Sequence, residues 1–428
     1  MRESTASAPG AGHYGHYKSV SVAARLPVDH EDHSRVLADI YARMWSMPLQ
    51  HGFSPRRWQR CVDAILEKIP GRPMLEKLRI IMLYEADFNF ILKFVWGKKL
   101  VQNAEKHQSL GDCNHGSRAG RQTYDALLQK MLLYEQARLS RTSLITVDND
   151  AKSCYDRIPR TLAGVACMSF GLPGAAVKMH NDTHHAMQHF IKSRHGEFKP
   201  YSGTDQAPLE GTGQGSGASP AIWLLYCTTL LNAFQHFSAG MMVVFPFQDL
   251  VLRILAIFYV DDGTPGVNDI TLPLAESLEL LLGRAQNAAQ SWERLLFASG
   301  GALEISKCFT YSMYWDLSGG THRLLDLAEI PGCKLVGDSW VGPIELTYGD
   351  SSLAKHRLVS ESPFDGRRTL GVRLAPSGGW KDEFIFRLSQ SRDLARRLAS
   401  AHLSSGTACL AYRMLICPKI EYPLSVTQ

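Results

Sequence analysis

Apolar residues recur every three or four positions from His33 to Ile69, as Val36, Ile40 and Met44 and then as Trp58, Val62, Ile65 and Ile69. That spacing predicts helix over the whole stretch. Pro70 to Pro73 breaks it, Leu78 to Leu83 is a short apolar run, and Phe88 to Leu100 is apolar enough for a packed helix. Thr123 to Leu139 predicts another helix, with Leu127, Leu128, Met131 and Leu132 on one side. Ser143 to Val147 is β-like and ends at Asp148-Asn149-Asp150; helical spacing resumes from Pro159 to Phe170. Val251 to Val260 is rich in β-branched and aromatic residues and ends on Asp261-Asp262-Gly263, which together predict a strand and a tight turn. Ala275 to Phe297 predicts an amphipathic helix, and short strands are expected around Ala302 to Tyr314 and Thr369 to Leu374. Helical periodicity returns from Lys381 to the end, and no internal repeat is present. Residues 1 to 30, rich in Ser, Ala, Gly and His without a period, read as a loose leader.

Composition narrows the class without naming a function. A chain of 428 residues, 45% hydrophobic and 20% charged, has room for two or three packed subdomains and is neither disordered nor collagen-like. The 46 Lys+Arg against 41 Asp+Glu is only mildly basic, compatible with a nucleic-acid partner but weak evidence for one. Nine scattered cysteines form no CxxC pair, which predicts reduced core thiols in an intracellular protein, in cytoplasm or nucleus. Met1 to Gly10 lacks the apolar centre of a secretory signal. The longest candidate span, Met241 to Val260, is interrupted by Pro246, Gln248, Asp249 and Arg253, so a soluble chain with no membrane partner is expected. Ending at Gln428 without a polar tail, the sequence reads as part of something larger.

The chemistry lies in two acidic strand ends. Asp150 opens Asp-Ala-Lys-Ser-Cys-Tyr155-Asp156, and Asp261-Asp262 lies in Phe-Tyr-Val-Asp-Asp-Gly. If the two strands are neighbours, three carboxylates converge, and such a cluster is costly unless a cation neutralises it. Oxygen-only ligands favour a hard ion such as Mg²⁺, and a pair of such ions is the usual clamp for in-line displacement at phosphorus. Taken alone, Asp-Gly is also a common hairpin dipeptide.

Its company changes that reading. Phe258-Tyr-Val-Asp-Asp-Gly263 resembles the Tyr-x-Asp-Asp signature of reverse transcriptases, and Asp150 with Tyr155-Asp156 resembles their motif A. Asp148 lies on the same face one pleat earlier, but only Asp150 has an aromatic residue five positions on. Gly213-Gln214-Gly215-Ser-Gly-Ala-Ser219-Pro220 resembles motif B, Lys307 fits motif D, and Leu370-Gly371-Val372 fits motif E, the primer grip. Leu78-Arg79-Ile80-Ile81 and Asn114-His115-Gly116-Ser117-Arg118 resemble two fingers motifs; Ile80 replaces the usual Pro, and His and Ser replace two residues of the second. The matches keep family order over residues 78 to 372, with weaker thumb-like similarity as far as Tyr422.

The resemblance implies an α+β right-hand polymerase fold: an antiparallel palm sheet at 146–375 with a fingers insertion near 159–205, a mostly helical N-terminal region and fingers at 31–145, and a partial helical thumb at 376–428. It implies RNA-directed DNA polymerisation within a retroelement, closer to non-LTR elements or group II introns than to retroviruses. Asp150, Asp261 and Asp262 would hold two Mg²⁺ ions, with Mn²⁺ as a substitute, and Lys307 would lie near the pyrophosphate. Arg79, with Lys77 or Arg72, would clasp the triphosphate; Gln214 and Gly215 would lie beneath the templating base and incoming nucleotide. Tyr155 would exclude a ribose 2′-hydroxyl, and Leu370 and Gly371 would grip the primer. Partners implied are RNA template, DNA primer or product, dNTPs and further domains of a longer polyprotein. A maturase-like or domesticated RNA-binding protein and an RNA-dependent RNA polymerase remain as alternatives.

Three patterns are set aside. Gly211 to Gly217 mimics a dinucleotide-binding loop but lacks the preceding strand. His180, His184, His185 and His189 have helical spacing for zinc, but no Cys or acidic partner with supporting spacing follows nearby, so a solvated or RNA-facing helix is expected. Arg387, Arg392, Arg396 and Arg397 mark either a duplex-facing thumb helix or an ordinary charged face.

Overall fold

The structure is a computed structural model that describes residues 31–69, 71–72, 74, 77–193, 196–245, 250–268, 277–316, 322–349 and 354–424. The expected leader, residues 1–30, lies outside the described residues. The chain divides into two compact units, one formed by Met1–Gly111, Ser153–Thr229 and Ser299–Gly301, the other by Asp112–Lys152, Leu230–Ala298 and Ala302–Gln428.

The first unit combines helices with a four-stranded sheet. Helix Glu31–His51 packs against helix Gly174–His185. Where helical spacing predicted helix as far as Ile69, the chain turns at Trp58 and forms strand Arg60–Glu67. This corrects the helix expected from Arg60 to Ile69. The reason is tertiary: the strand pairs antiparallel with Leu78–Leu83 on one side and parallel with Gln188–Ser193 on the other. β-branched Val62 and Ile65 suit a pleated strand, and neighbouring strands override a weak helical period. Ile65 and Ile69 of the supposed apolar stripe are exposed. Helix Ala86–Phe94 continues through a π-helical turn, Val95–Leu100, into Val101–Lys106, as the run from Phe88 predicted. Helix Arg160–Ser169 matches its expected span.

A second correction concerns the histidines. His180 and His184 are buried rather than solvated, in an aromatic cluster with Trp96, Tyr84 and Phe88. Full burial lowers the imidazole pKa of both, that of His180 to about 4. His189 lies beyond the helix, on strand Gln188–Ser193.

The second unit is built on a seven-stranded sheet ordered Lys334–Val336, Ser339–Tyr348, Ala354–Glu361, Phe309–Met313, Leu144–Asp150, Asp262–Asn268, Ala256–Tyr259. The expected antiparallel sheet needs one amendment, since Phe309–Met313 and Ala354–Glu361 run parallel. Helices cover both faces. Ala126, Leu133, Tyr134 and Ala137 of helix Thr123–Ser140 pack on Leu144, Ile257 and Met313. Across the sheet Trp292 of helix Ser277–Ala298 packs on Phe258. Ile257 and Phe258 thus point to opposite faces, as the strand's two-residue repeat requires. The strand expected over Val251–Val260 is broken at Leu255, because Leu250–Ile254 pairs with Met241–Phe245 whereas Ala256–Tyr259 pairs with Asp262–Asn268. Helix Lys381–Ser400 and the shorter helical segments to Leu424 follow. No described helix is long and apolar enough to cross a membrane.

Candidate active site

One face of strand Leu144–Asp150 changes character along its length. Leu144 sits in the apolar cluster, Thr146 meets the Tyr134 hydroxyl at 3.3 Å, and Asp148 meets the Lys130 amine, four residues before Tyr134 on the same helix. Asp150 ends the strand directly opposite Asp262 of the antiparallel neighbour. Directly opposed residues in such a pair have Cα atoms about 4.5–5.5 Å apart. Asp261 stands one residue earlier, and its carbonyl accepts from the Ala151 N–H at 3.0 Å. The three carboxylate residues from segments over 100 positions apart in sequence therefore meet at one sheet edge.

The turn that delivers them is unusual. Tyr259 pairs with Asp262, leaving Val260 and Asp261 as a two-residue hairpin loop. Val260 has φ +59°, a conformation that L residues enter at a cost of roughly 1–2 kcal/mol, and positive φ at the first loop position alone is the type II′ pattern. The hairpin expected from Asp-Gly exists, but Asp262-Gly263 opens the following strand. Gly263 is required there by space: a Cβ would come within 2.3 Å of the Phe258 ring and 2.9 Å of Asn149 Oδ1.

Electrostatics follow from this crowding. Burial, then the charges of Asp261, Asp150 and Asp148, push the Asp262 carboxyl up to about 7, with Lys130 opposing. Asp150 pairs with the Lys307 amine. Partial burial lowers the Lys307 pKa, but its hydrogen bond to Asp150 and the charges of Asp150, Asp261 and Glu304 outweigh that and leave it raised. Asp148 differs: its Oδ1 accepts from Lys130 and, at 2.9 Å, from the Thr264 hydroxyl, while Oδ2 is buried without a hydrogen-bond partner among the described residues.

A cavity of about 420 Å³ lies over the cluster, lined by Asp148, Asp150, Asp262, Lys307, Arg367 and Arg368 together with Leu370 and Gly371. The last two form the loop of a hairpin between Arg367–Thr369 and Val372–Leu374. Both have positive φ, +50° and +92°, as a type I′ turn demands. The Tyr422 hydroxyl donates to the Leu370 carbonyl at 2.8 Å, and Arg387 donates to that of Gly371. Arg387 is thus turned inward, paired with Glu383, whereas Arg392, Arg396 and Arg397 are exposed.

The first unit gathers other predicted residues around a cavity of about 290 Å³ lined by Arg79, Lys68, Asp156, Arg160 and Gln214. The Met82 N–H donates to the Gln214 carbonyl at 2.6 Å, and Gln214 Nε2 donates to Asp156 Oδ2 at 3.4 Å. Gly215, at φ +110°, runs so close that a Cβ would sit 2.4 Å from the Met82 carbonyl oxygen. Burial raises the Asp156 pKa against the Gln214 hydrogen bond and Lys68. Tyr155 is half-buried, its carbonyl accepting from the Thr212 N–H at 2.8 Å. Lys77 and Arg72 are exposed and do not line this cavity.

Sequence reasoning missed Lys130, Thr264, Arg367 and Arg368. Lys130 left a signal, since it interrupts the apolar series Leu127, Leu133, Tyr134 and Ala137 on the buried side of its helix. A lysine there needs a buried anion.

The donor set fits hard cations: three carboxylates, of which Asp262 is pushed up to about 7 by burial and then by its acidic neighbours, and a further buried oxygen, Asp148 Oδ2, without a hydrogen-bond partner among the described residues.

No protein-family model matches the sequence, and no curated protein matches it. Among solved structures the chain is similar to telomerase from Candida albicans in complex with a TWJ fragment of telomeric RNA (TM-score 0.38, 11% identity, covering 75% of this chain and 50% of that one). It is also similar to apo telomerase from Candida tropicalis truncated from its C-terminal domain (0.39, 14%, 71% and 56%). A third is Candida tropicalis telomerase with a TWJ fragment (0.39, 10%, 76% and 48%). The chain spans about half the length of these proteins, and likenesses this slight carry no conclusion about activity.

Proposed function

We propose that this chain is the polymerase region of a reverse transcriptase, extending a primer 3′-hydroxyl with deoxynucleotides on an RNA template. The observation that carries the reading is the register pairing of Asp150 with Asp262, with Asp261 in the adjoining turn. In this reading the seven-stranded sheet is the palm, the first unit supplies fingers, and the segment after residue 376 begins a thumb. The protein would belong to a retroelement of the non-LTR or group II intron type and work inside the cell.

Asp150, Asp261 and Asp262 would hold two Mg²⁺ ions, which when bound supply Lewis-acid activation of the 3′-hydroxyl and charge neutralisation at the leaving group. In the reaction a bond forms between the 3′-oxygen and the α-phosphorus while the α–β phosphoanhydride bond breaks. Lys307, kept protonated by its carboxylate neighbours, is the group able to give a proton to the departing pyrophosphate. Lys130 neutralises Asp148 and so limits the repulsion that Asp262 feels. Arg368 adds positive charge to the cavity wall beside Leu370 and Gly371, suited to a primer phosphate, while Arg367 is paired with Glu361. Arg79 would contact the triphosphate, exposed Lys77 would support it from just before the strand Leu78–Leu83, and Gln214 with Gly215 would contact the nucleotide base. Tyr155 would close the space beneath the sugar C2′.

Primer extension on a homopolymeric RNA template with Mg²⁺ and the matching dNTP tests this. Asp150→Asn and Asp261→Asn should each lower the rate by at least roughly 10²–10³-fold. Extension absent from the unsubstituted chain would favour an RNA-binding protein on the same scaffold, and extension unchanged in both variants would remove Asp150 and Asp261 from the chemistry.

A further inference from the structure

The first unit, which does not contain the acidic cluster, brings together a second set of ligand-type side chains. Cys61 and Asp63 are two residues apart on strand Arg60–Glu67 and share a face. Its parallel neighbour places His189 opposite Cys61 in register. All three are more than nine-tenths buried, at 0%, 1% and 7% exposure. Cys61 Sγ lies 3.2 Å from His189 Nδ1, His189 Nδ1 lies 3.2 Å from Asp63 Oδ2, and Cys61 Sγ lies 3.8 Å from Asp63 Oδ1. These separations are close to the edges of a zinc tetrahedron: bonds of about 2.3 Å to sulfur and 2.0–2.2 Å to nitrogen and oxygen give edges of about 3.4–3.6 Å.

We propose that Cys61, Asp63 and His189 form a three-ligand site for a divalent zinc-type cation that clips strand Arg60–Glu67 to strand Gln188–Ser193. Charge supports it. One thiolate, one carboxylate and one neutral imidazole cancel a dication, which removes the cost of burying Asp63. Among the described residues the ion-pair partner of Asp63 is His189 itself, not a lysine or arginine. The surroundings also resemble the support that metal ligands need. The Tyr201 hydroxyl donates to Asp63 Oδ2, and its ring stacks on His189 with centroids 5.2 Å apart. Two backbone hydrogen bonds, at 2.8 and 3.0 Å, lock residue 201 to residue 189. Asp63, His189 and Tyr201 line the 290 Å³ cavity, which gives an ion a way in and leaves room for a water as fourth ligand. Sequence spacing hid the site, because its acidic and thiol ligands lie about 126–128 positions before the histidine.

The test is a Co²⁺ titration of the full chain after chelator treatment. One equivalent per chain should develop a thiolate-to-cobalt charge-transfer band with tetrahedral d–d absorption, and one equivalent of Zn²⁺ should abolish both. X-ray absorption of the zinc-loaded chain should count one sulfur among nitrogen and oxygen ligands. Cys61→Ser should lose the charge-transfer band, and Asp63→Asn should weaken binding by at least roughly tenfold. Cys409→Ser, at an exposed cysteine, should change nothing. Absence of the band at one equivalent, zero or several sulfurs at zinc, or a band that survives Cys61→Ser overturns the proposal. The unsubstituted chain decides the matter even if the variants fail to fold.

Discussion

Two aspartates on one strand face, Asp148 and Asp150, meet different partners and so divide their tasks. Asp148 is tied to a lysine whose side chain is 3% exposed, whereas Asp150 meets Lys307, whose side chain is 65% exposed. Removing the buried partner leaves an uncompensated buried charge, so Lys130→Met should destabilise the fold by about 3–5 kcal/mol in urea unfolding. Lys307→Ala should lower the urea midpoint much less than Lys130→Met does, because Lys307 itself is mostly exposed although Asp150 is buried, while slowing primer extension. Equal stability losses in the two variants would contradict this division. Tyr155→Ala should admit ribonucleotides, read as a rise in ribonucleotide relative to deoxynucleotide incorporation; an unchanged ratio would remove Tyr155 from sugar selection. The sequence identified Asp150 over Asp148 only through the spacing to an aromatic residue. It could not show that Asp148 is already paired, since Lys130 lies on a separate element.

Elements were legible where pattern and tertiary demand agree, as in helix Thr123–Ser140 and strand Leu144–Asp150. Strand Arg60–Glu67 was misread because the spacing of Trp58, Val62, Ile65 and Ile69 fits a helix, while the buried run Cys61, Val62 and Asp63 exists only through two partner strands. The glycine-rich segment after residue 210 was recognised by composition; its packing against Met82 was not. Gly215→Ala places a Cβ against that backbone in a conformation L residues avoid. It should cost roughly 1–3 kcal/mol, measured as a lower thermal midpoint, and a variant as stable as the parent would show that the loop can move aside.

At the scale of the whole molecule, stability should depend on pH through the buried histidines. His180 has a folded pKa of about 4, below its ordinary 6.5, so above pH 6.5 it is neutral in both states. As pH falls from 6.5 towards 4, the unfolded chain takes up a proton that the folded chain refuses, and stability is lost. The loss approaches 3 kcal/mol in order of magnitude for His180 alone, and His184 acts in the same direction. Urea midpoints between pH 7.5 and 5 should fall, and His180→Gln should flatten the slope; identical slopes would mean that the cluster opens to water on protonation.

By itself the sequence determined which residue types could do chemistry and roughly where strands and turns would present them, because spacing and local turn preference are written in neighbouring residues. Tertiary structure alone decided which distant residues meet: Asp150 with Asp262, Lys130 with Asp148, and Cys61 and Asp63 with His189. Those encounters depend on strand order and register, which long-range burial selects and no local pattern encodes.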